Sequence, residues 1–208
     1  MATFVNRPFD PGMKQRQLEM RLQGLEGFSQ PSSRLEQYAT PPSLAAELLH
    51  LAALHGDLGQ IADLGCGTGI LAIGAALLGA RAVGVEIDPL AISHARRNAA
   101  LAGVEVDIVR GDVSSIWLRD MDAVVMNPPF GAQLASRGDR IFLKKAIQLA
   151  PVVYSIHNAG SEGFIRKFVA PARVDRVWRG SLPIKRCFAF HRQECMELEV
   201  ELYRIVCK

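Results

Sequence analysis

The chain has 208 residues, 49% of them hydrophobic and 22% charged, values that suit one globular domain and exclude a disordered or fibrous chain. No apolar run approaches the roughly 20 residues that a membrane-spanning helix needs, and the amino terminus has no charged-then-apolar leader pattern, which points to the cytoplasm. The net charge of +3 is unevenly placed: residues 1–130 carry 10 Lys+Arg against 14 Asp+Glu, residues 131–208 carry 14 against 7, and arginine outnumbers lysine 18 to 6, so the back half is the expected footprint for a polyanion.

Residues 1–12, with Pro8, Pro11, Gly12 and no periodicity, are expected to form a flexible extension ahead of a single domain over 13–208. Leu18, Leu22 and Leu25 recur at helical spacing and Gly24 and Gly27 close that helix. Thr40 ahead of Pro41 reads as a helix N-cap leading into the amphipathic run Leu44 to Leu54. Ile61 to Leu64 reads as a first strand, broken by Gly65-Cys66-Gly67-Thr68-Gly69, and Ile70 to Leu78 returns to helix. Strands at 82–85, 106–109 and 122–126 alternate with a helix over 89–101, and a helix over 139–149, a strand over 152–156 and a helix over 161–170 continue the pattern. Alternation of this length means right-handed crossovers and a mainly parallel α/β sheet. At the carboxyl end Cys187 to His191 and Met196 to Val206 alternate and are joined by a short link, which predicts an antiparallel hairpin.

Strand, Gly-x-Gly-x-Gly, helix is an arrangement that can bring backbone N–H groups and a helix amino terminus to a ligand. No Lys-Ser/Thr follows the glycines, and Gly69 comes two residues after Gly67 rather than three, so neither a P-loop nor the dinucleotide fingerprint fits. Asp63, Glu86 and Asp112 each fall at the carboxyl end of a strand, where a parallel sheet opens its ligand crevice. The apolar run Ala123 to Met126 ends abruptly in Asn127-Pro128-Pro129-Phe130, which sets an amide side chain at a rigid strand end. The cysteines Cys66, Cys187, Cys195 and Cys207 show no C-x-x-C pairing, against both a zinc ribbon and a disulfide framework. Cys187, His191 and Cys195 recur every four residues but span the expected hairpin, and no metal is expected. Trp117 is expected in the core, His157 at the end of the fifth strand in a structural or RNA-facing role, and Lys144-Lys145, Arg166-Lys167 and Lys185-Arg186 among RNA contacts.

Asp63 to Gly69, Glu86, Asp112 and Asn127 to Phe130 together resemble the motif series of class I S-adenosylmethionine-dependent methyltransferases that act on amino groups. More narrowly, Leu35 to Pro41, Phe130-Gly131, Val153 to His157 and Phe190-His191 resemble the small-subunit rRNA adenine methyltransferase family of archaea and eukaryotes, over about residues 18–206. The resemblance implies a Rossmann-like, mainly parallel seven-stranded sheet with a carboxyl-terminal antiparallel hairpin. It implies S-adenosyl-L-methionine as cofactor, with Asp63, Gly65, Thr68 and Ile70 at its methionine half and Glu86 at its ribose. Asp112 and Val113 would hold its adenine, and Gln37, Tyr38 and Thr40 would close the pocket beside Asn127. Asn127 and the Pro128 carbonyl would accept from the target amine, Pro129 would stiffen the turn, and Phe130 would stack on a flipped adenine. Glu86 stands where the family commonly has aspartate, and Ala132-Gln133 where threonine is frequent. RNA as substrate and a small zinc-ribbon activator protein as partner belong to the same implication. The Asn-Pro-Pro-aromatic motif leaves open guanine 2-amino, DNA adenine and protein glutamine as acceptors, and an inactive cofactor-binding RNA-binding subunit as a different class.

Overall fold

The computed structural model describes residues 12–129, 138–185 and 195–207. Its seven strands are β1 (Gln60–Leu64), β2 (Arg81–Glu86), β3 (Asp107–Arg110), β4 (Ala123–Met126), β5 (Val152–Asn158), β6 (Arg173–Lys185) and β7 (Cys195–Val206), joined in one sheet of order β3-β2-β1-β4-β5-β7-β6. The first five pair in parallel, and β7 runs antiparallel between β5 and β6. Buried on both faces, the parallel strands are short apolar runs rather than alternating ones; every residue of β4 is 0% exposed. The order reverses between β1 and β4, the switch point at which such sheets open a crevice.

Helices α1 (Gln15–Leu22), α2 (Pro42–Leu54), α3 (Ile70–Leu77) and α4 (Pro89–Ala102) cover one face, where Leu18, Leu49 and Ile73 pack against Ile61, Val125 and Tyr154. Helices α5 (Gly138–Leu149) and α6 (Glu162–Phe168) cover the other, packing Leu143 and Ile165 against Leu64, Met126 and Val153. No helix among the described residues is long and apolar enough to cross a membrane.

Several expectations need correction. The hairpin partner of β7 is β6, whose described register runs from Arg173↔Val206 to Lys185↔Cys195; the segment 187–191 expected in that role lies outside the described residues. A register shift between Val174 and Arg176, together with Gly180 and Pro183, breaks the alternation that would have marked β6. Thr40 is not a helix cap: the cap position of α2 belongs to Pro41. Trp117 is 71% exposed on the loop after β3, with the Lys145 ammonium 4.8 Å from its ring centre. The expected extension falls on residues 1–11, outside the described residues.

Away from the crevice, at the amino-terminal half of β5, Arg204 bridges two acids: its Nε lies 2.9 Å from Asp57 Oδ2 and its Nη1 2.8 Å from Asp175 Oδ2. The Tyr154 hydroxyl donates to the same Asp57 oxygen at 2.6 Å, and burial with that carboxylate pushes its pKa up. The network ties the turn after α2 to β5, β6 and β7. Arg204→Ala leaves carboxylates facing each other without a counter-charge in a mostly buried site, an expected loss of about 3 kcal/mol, read as a lower urea midpoint with an unchanged slope.

Candidate functional site

The loop after β1 turns through left-handed glycines, with φ of +69° at Gly65 and +54° at Gly67. A Cβ on Gly67 would come within 2.7 Å of Phe28 Cζ, and one on Gly65 within 2.7 Å of Phe142 Cε1, so both conformation and space demand glycine. The expectation that this loop aims its N–H groups at a ligand holds only in part. Gly65 N and Cys66 N donate to the Val85 carbonyl, and Gly69 N to the Cys66 carbonyl. Gly67 N donates to Glu86 Oε2 at 2.8 Å. The loop is thereby clamped to the end of β2.

The acids at the strand ends divide the work. Asp63 is 1% exposed, accepts from Ala72 N at 2.9 Å and lines the crevice. Burial, reinforced by the nearby Glu86 charge and opposed by the Ala72 N–H, pushes its pKa up to about 7. Glu86 holds the N–H groups of Gly67, Ile87 and Asp88; a carboxylate offers about four acceptor sites, so one remains for a hydroxyl. Asp112 is exposed and holds the Ser114 N–H at 2.8 Å, contacts with Ser114 that keep its pKa low, while Val113 beside it is buried.

Across the crevice sits Asn127. Its Nδ2 donates to Thr40 Oγ1 at 2.9 Å, which explains why Thr40 does not cap α2. With its N–H group so placed, Oδ1 is left buried and without a hydrogen-bond partner. Such an atom is costly unless a donor arrives. Pro128 is buried and Pro129 half-buried; Phe130 lies outside the described residues.

The crevice is lined by Phe28, Tyr38, Ala39, Thr40, Asp63, Gly65, Cys66, Gly67, Thr68, Ile70, Leu71 and Asn127. Of the residues singled out from sequence, Tyr38, Thr40, Asp63, Gly65, Thr68, Ile70 and Asn127 meet here; Gln37, Glu86, Asp112, Val113, Pro128 and Pro129 do not line it. Gln37 is buried behind the wall, with Nε2 donating to Asp88 Oδ2 and Oε1 accepting from Ser32 N, each at 2.8 Å. Phe28 was missed, although a lone aromatic in a polar Gly-Ser-Pro loop is a signal. Asn98 was missed too: fully buried on the alanine face of α4, its Nδ2 donates to the carbonyls of Glu26 and Thr68, and its Oδ1 accepts from Glu26 N. It pins the amino-terminal wall to the glycine loop. A polar residue at the i+3 and i+7 positions of the Ala91, Ala95, Ala102 stripe was the available clue.

Of the expected RNA contacts, Lys145 is 7% exposed beneath Trp117, and Arg166 pairs with Glu162 at 2.7 Å. Lys144 and Lys167 are exposed. Arg186, Cys187 and His191 lie outside the described residues, among which no group of His, Cys, Asp and Glu could hold a metal ion. His157 is 3% exposed and its Nε2 lies 2.6 Å from Ser155 Oγ, so its role is internal.

Comparison with known proteins agrees with this architecture. Residues 44–151 match the family model described as the methyltransferase small domain. The rRNA N(6)-adenosine-methyltransferase Mettl5 of Drosophila melanogaster is 40% identical over 204 residues, covering 92% of this chain and 96% of that protein. The crystal structure of a candidate RNA methyltransferase from Pyrococcus horikoshii superposes with a TM-score of 0.86 at 40% identity, covering 94% of this chain and 98% of that one. A more distant structure, magnesium protoporphyrin IX methyltransferase of Synechocystis with bound S-adenosylmethionine, shares the fold at a TM-score of 0.60 and 17% identity over 79% of this chain and 78% of that one.

Proposed function

Since the chain belongs to the S-adenosylmethionine-dependent methyltransferase family that includes the rRNA N6-adenosine methyltransferases, we propose that it methylates the N6 amino group of an adenosine in small-subunit rRNA, with Asn127 at the reacting nitrogen. The buried, unpartnered Oδ1 of Asn127 carries this reading.

S-adenosyl-L-methionine supplies an electrophilic methyl group on a sulfonium. What the protein must supply is a usable lone pair, because the nitrogen of an adenine amine is conjugated with its ring. Asn127 Oδ1 and the Pro128 carbonyl accept from its two N–H bonds and draw the nitrogen toward tetrahedral geometry, turning the lone pair out of the ring plane. Thr40 holds the amide in the required orientation by taking its Nδ2 proton, and the two prolines keep the acceptors from drifting. Phe130 stacks on the extruded base. No general base is needed, since the proton leaves after transfer; catalysis is mainly positioning. Asp63, Gly65, Thr68 and Ile70 hold the methionine half of the cofactor, Glu86 the ribose through its remaining acceptor site, and Asp112 with Val113 the cofactor's adenine. Tyr38 closes the wall that Gln37 anchors.

Residues 13–208 act as one domain in this reading, consistent with strands from both ends of the chain in one sheet. It also takes the small zinc-ribbon activator as a partner seated on a free sheet edge, a role suited to β3, which has a strand on one side only. We place the enzyme in the cytoplasm with its rRNA substrate.

The test is transfer of labelled methyl from S-adenosylmethionine to small-subunit rRNA lacking the mark, followed by nucleoside analysis, with and without a zinc-ribbon partner. Label in N6-methyladenosine is expected. Label in N2-methylguanosine, or none under either condition, overturns the reading.

A further inference from the structure

A second buried amide oxygen without a partner lies beside the first. Asn158, the last residue of β5, has its Oδ1 buried and unbonded, just as Asn127 does one strand away. Register places both on the same face of the sheet. Val125 pairs with Tyr154 in parallel, so the positions facing α1 to α4 are the odd residues of β4 and the even residues of β5. Tyr154, Ile156 and Val125 accordingly share one core cluster with Val200, the antiparallel partner of Asn158. Asn127 continues the first series and Asn158 the second.

At about 3.3 Å per residue along a strand and 4.8 Å between strands, two positions along and one across set their Cα atoms roughly 8 Å apart, within the span of one nucleoside. The start of α2 fills the sheet beside them. Thr40, just ahead of that helix, takes the Asn127 amide, and Leu44 in its first turn covers Gly180, which shares the pairing row of Val200 and Asn158. The backbone at Asn158 is pinned, its carbonyl taking Ser161 N at 3.3 Å while Ala159 N donates to the Glu199 carbonyl at 3.0 Å.

An oxygen acceptor held in this way calls for a donor, and an adenosine within an RNA chain has few. Its amino N–H bonds are both taken by Asn127 and the Pro128 carbonyl in the function proposed above, on which this step rests. The ring nitrogens N1, N3 and N7 only accept, and the 3′ and 5′ oxygens are esterified. The one donor left is the ribose 2′-hydroxyl, the group that tells RNA from DNA. We infer that Asn158 Oδ1 accepts from the 2′-hydroxyl of the target adenosine, and that Asn158 is a specificity residue selecting RNA over DNA.

The experiment compares two synthetic oligonucleotides that span the methylated adenosine, one all-ribose and one with a single 2′-deoxyadenosine at that position. Wild-type kcat/KM is expected to favour the ribose substrate about five- to tenfold, the worth of one neutral hydrogen bond. Asn158→Ala collapses that ratio to near one, whereas Asn158→Asp, which keeps an acceptor, retains it. Because each ratio is taken within one protein, partial misfolding of a variant cancels. A ratio in Asn158→Ala equal to wild type, or a wild-type ratio near one, overturns the inference while leaving the function intact. Absence of transfer from the wild type to the ribose substrate overturns the function and this inference with it.

Discussion

Replacing Asn127 by alanine is expected to lower kcat on RNA by a factor on the order of 10² to 10³, the loss found when one preorganised hydrogen-bonding group is removed from a reacting centre, while cofactor affinity stays within about twofold. The split follows from geometry. The Asn127 amide is held by Thr40 on one side and is open on the other, so its loss leaves the clamp of Glu86 on the glycine loop untouched. Thr40→Val supplies the graded companion. It keeps the side-chain shape but removes the acceptor for Nδ2, so the amide is free to turn and present an N–H where an oxygen is needed. About a tenfold fall in kcat is expected there, with KM for RNA nearly unchanged, because orientation rather than binding has been lost. Single-turnover rates at saturating cofactor, with cofactor affinity from calorimetry, separate the cases. Full turnover in Asn127→Ala would refute the mechanism, and cofactor affinity falling in step with kcat would move Asn127 from the reacting centre to the cofactor site.

What could be read in the sequence was what local chemistry determines. A strand that stops at Pro-Pro, and a loop whose glycines alternate through left-handed conformations, carry their geometry in adjacent residues. Asn127, Gly65 and Gly67 were therefore legible. The misses depended on residues far apart in the chain. Phe28 and Asn98 reach the crevice only because α1 and α4 pack on the same face as the glycine loop. Asn158 acquires its interest only from the register of β5 against β4. In β6 the bulge after Val174 exchanges the faces of the strand midway, so the pattern of alternation reads as noise. Trp117 failed for the opposite reason. Size and apolarity argued for the core, yet the ring is satisfied at the surface by the stem and ammonium of Lys145, itself buried beneath it.

Asp63→Asn is expected to make the protein acid-labile, because Asp63 and His157 hold opposing proton debts. In the folded chain burial pushes the Asp63 pKa from 3.8 up to about 7 and pushes that of His157 from 6.5 down to about 4. Between about pH 4 and 7 the folded state therefore keeps a proton on Asp63 that the unfolded chain has released, and stability rises as pH falls. Between about pH 4 and 6.5 the unfolded chain carries a proton on His157 that the folded state refuses, and stability drops as pH falls. The two slopes nearly cancel. Asparagine can still accept from Ala72 N but cannot titrate, so the variant retains only the histidine slope, about 1.4 kcal/mol per pH unit below pH 6.5. Urea midpoints at pH 7.5, 6 and 4.5 should diverge between wild type and Asp63→Asn by that amount, and the double variant with His157→Phe should run flat again. Parallel curves for wild type and Asp63→Asn would show that Asp63 carries no proton at neutral pH. The same proton reaches function: a cation entering beside Asp63 favours its ionised form, so cofactor affinity should weaken by up to about tenfold per pH unit below 7 in the wild type. In Asp63→Asn it should be weaker throughout and indifferent to pH, which binding calorimetry in buffers of different ionisation enthalpy would resolve as a proton released on binding by the wild type alone.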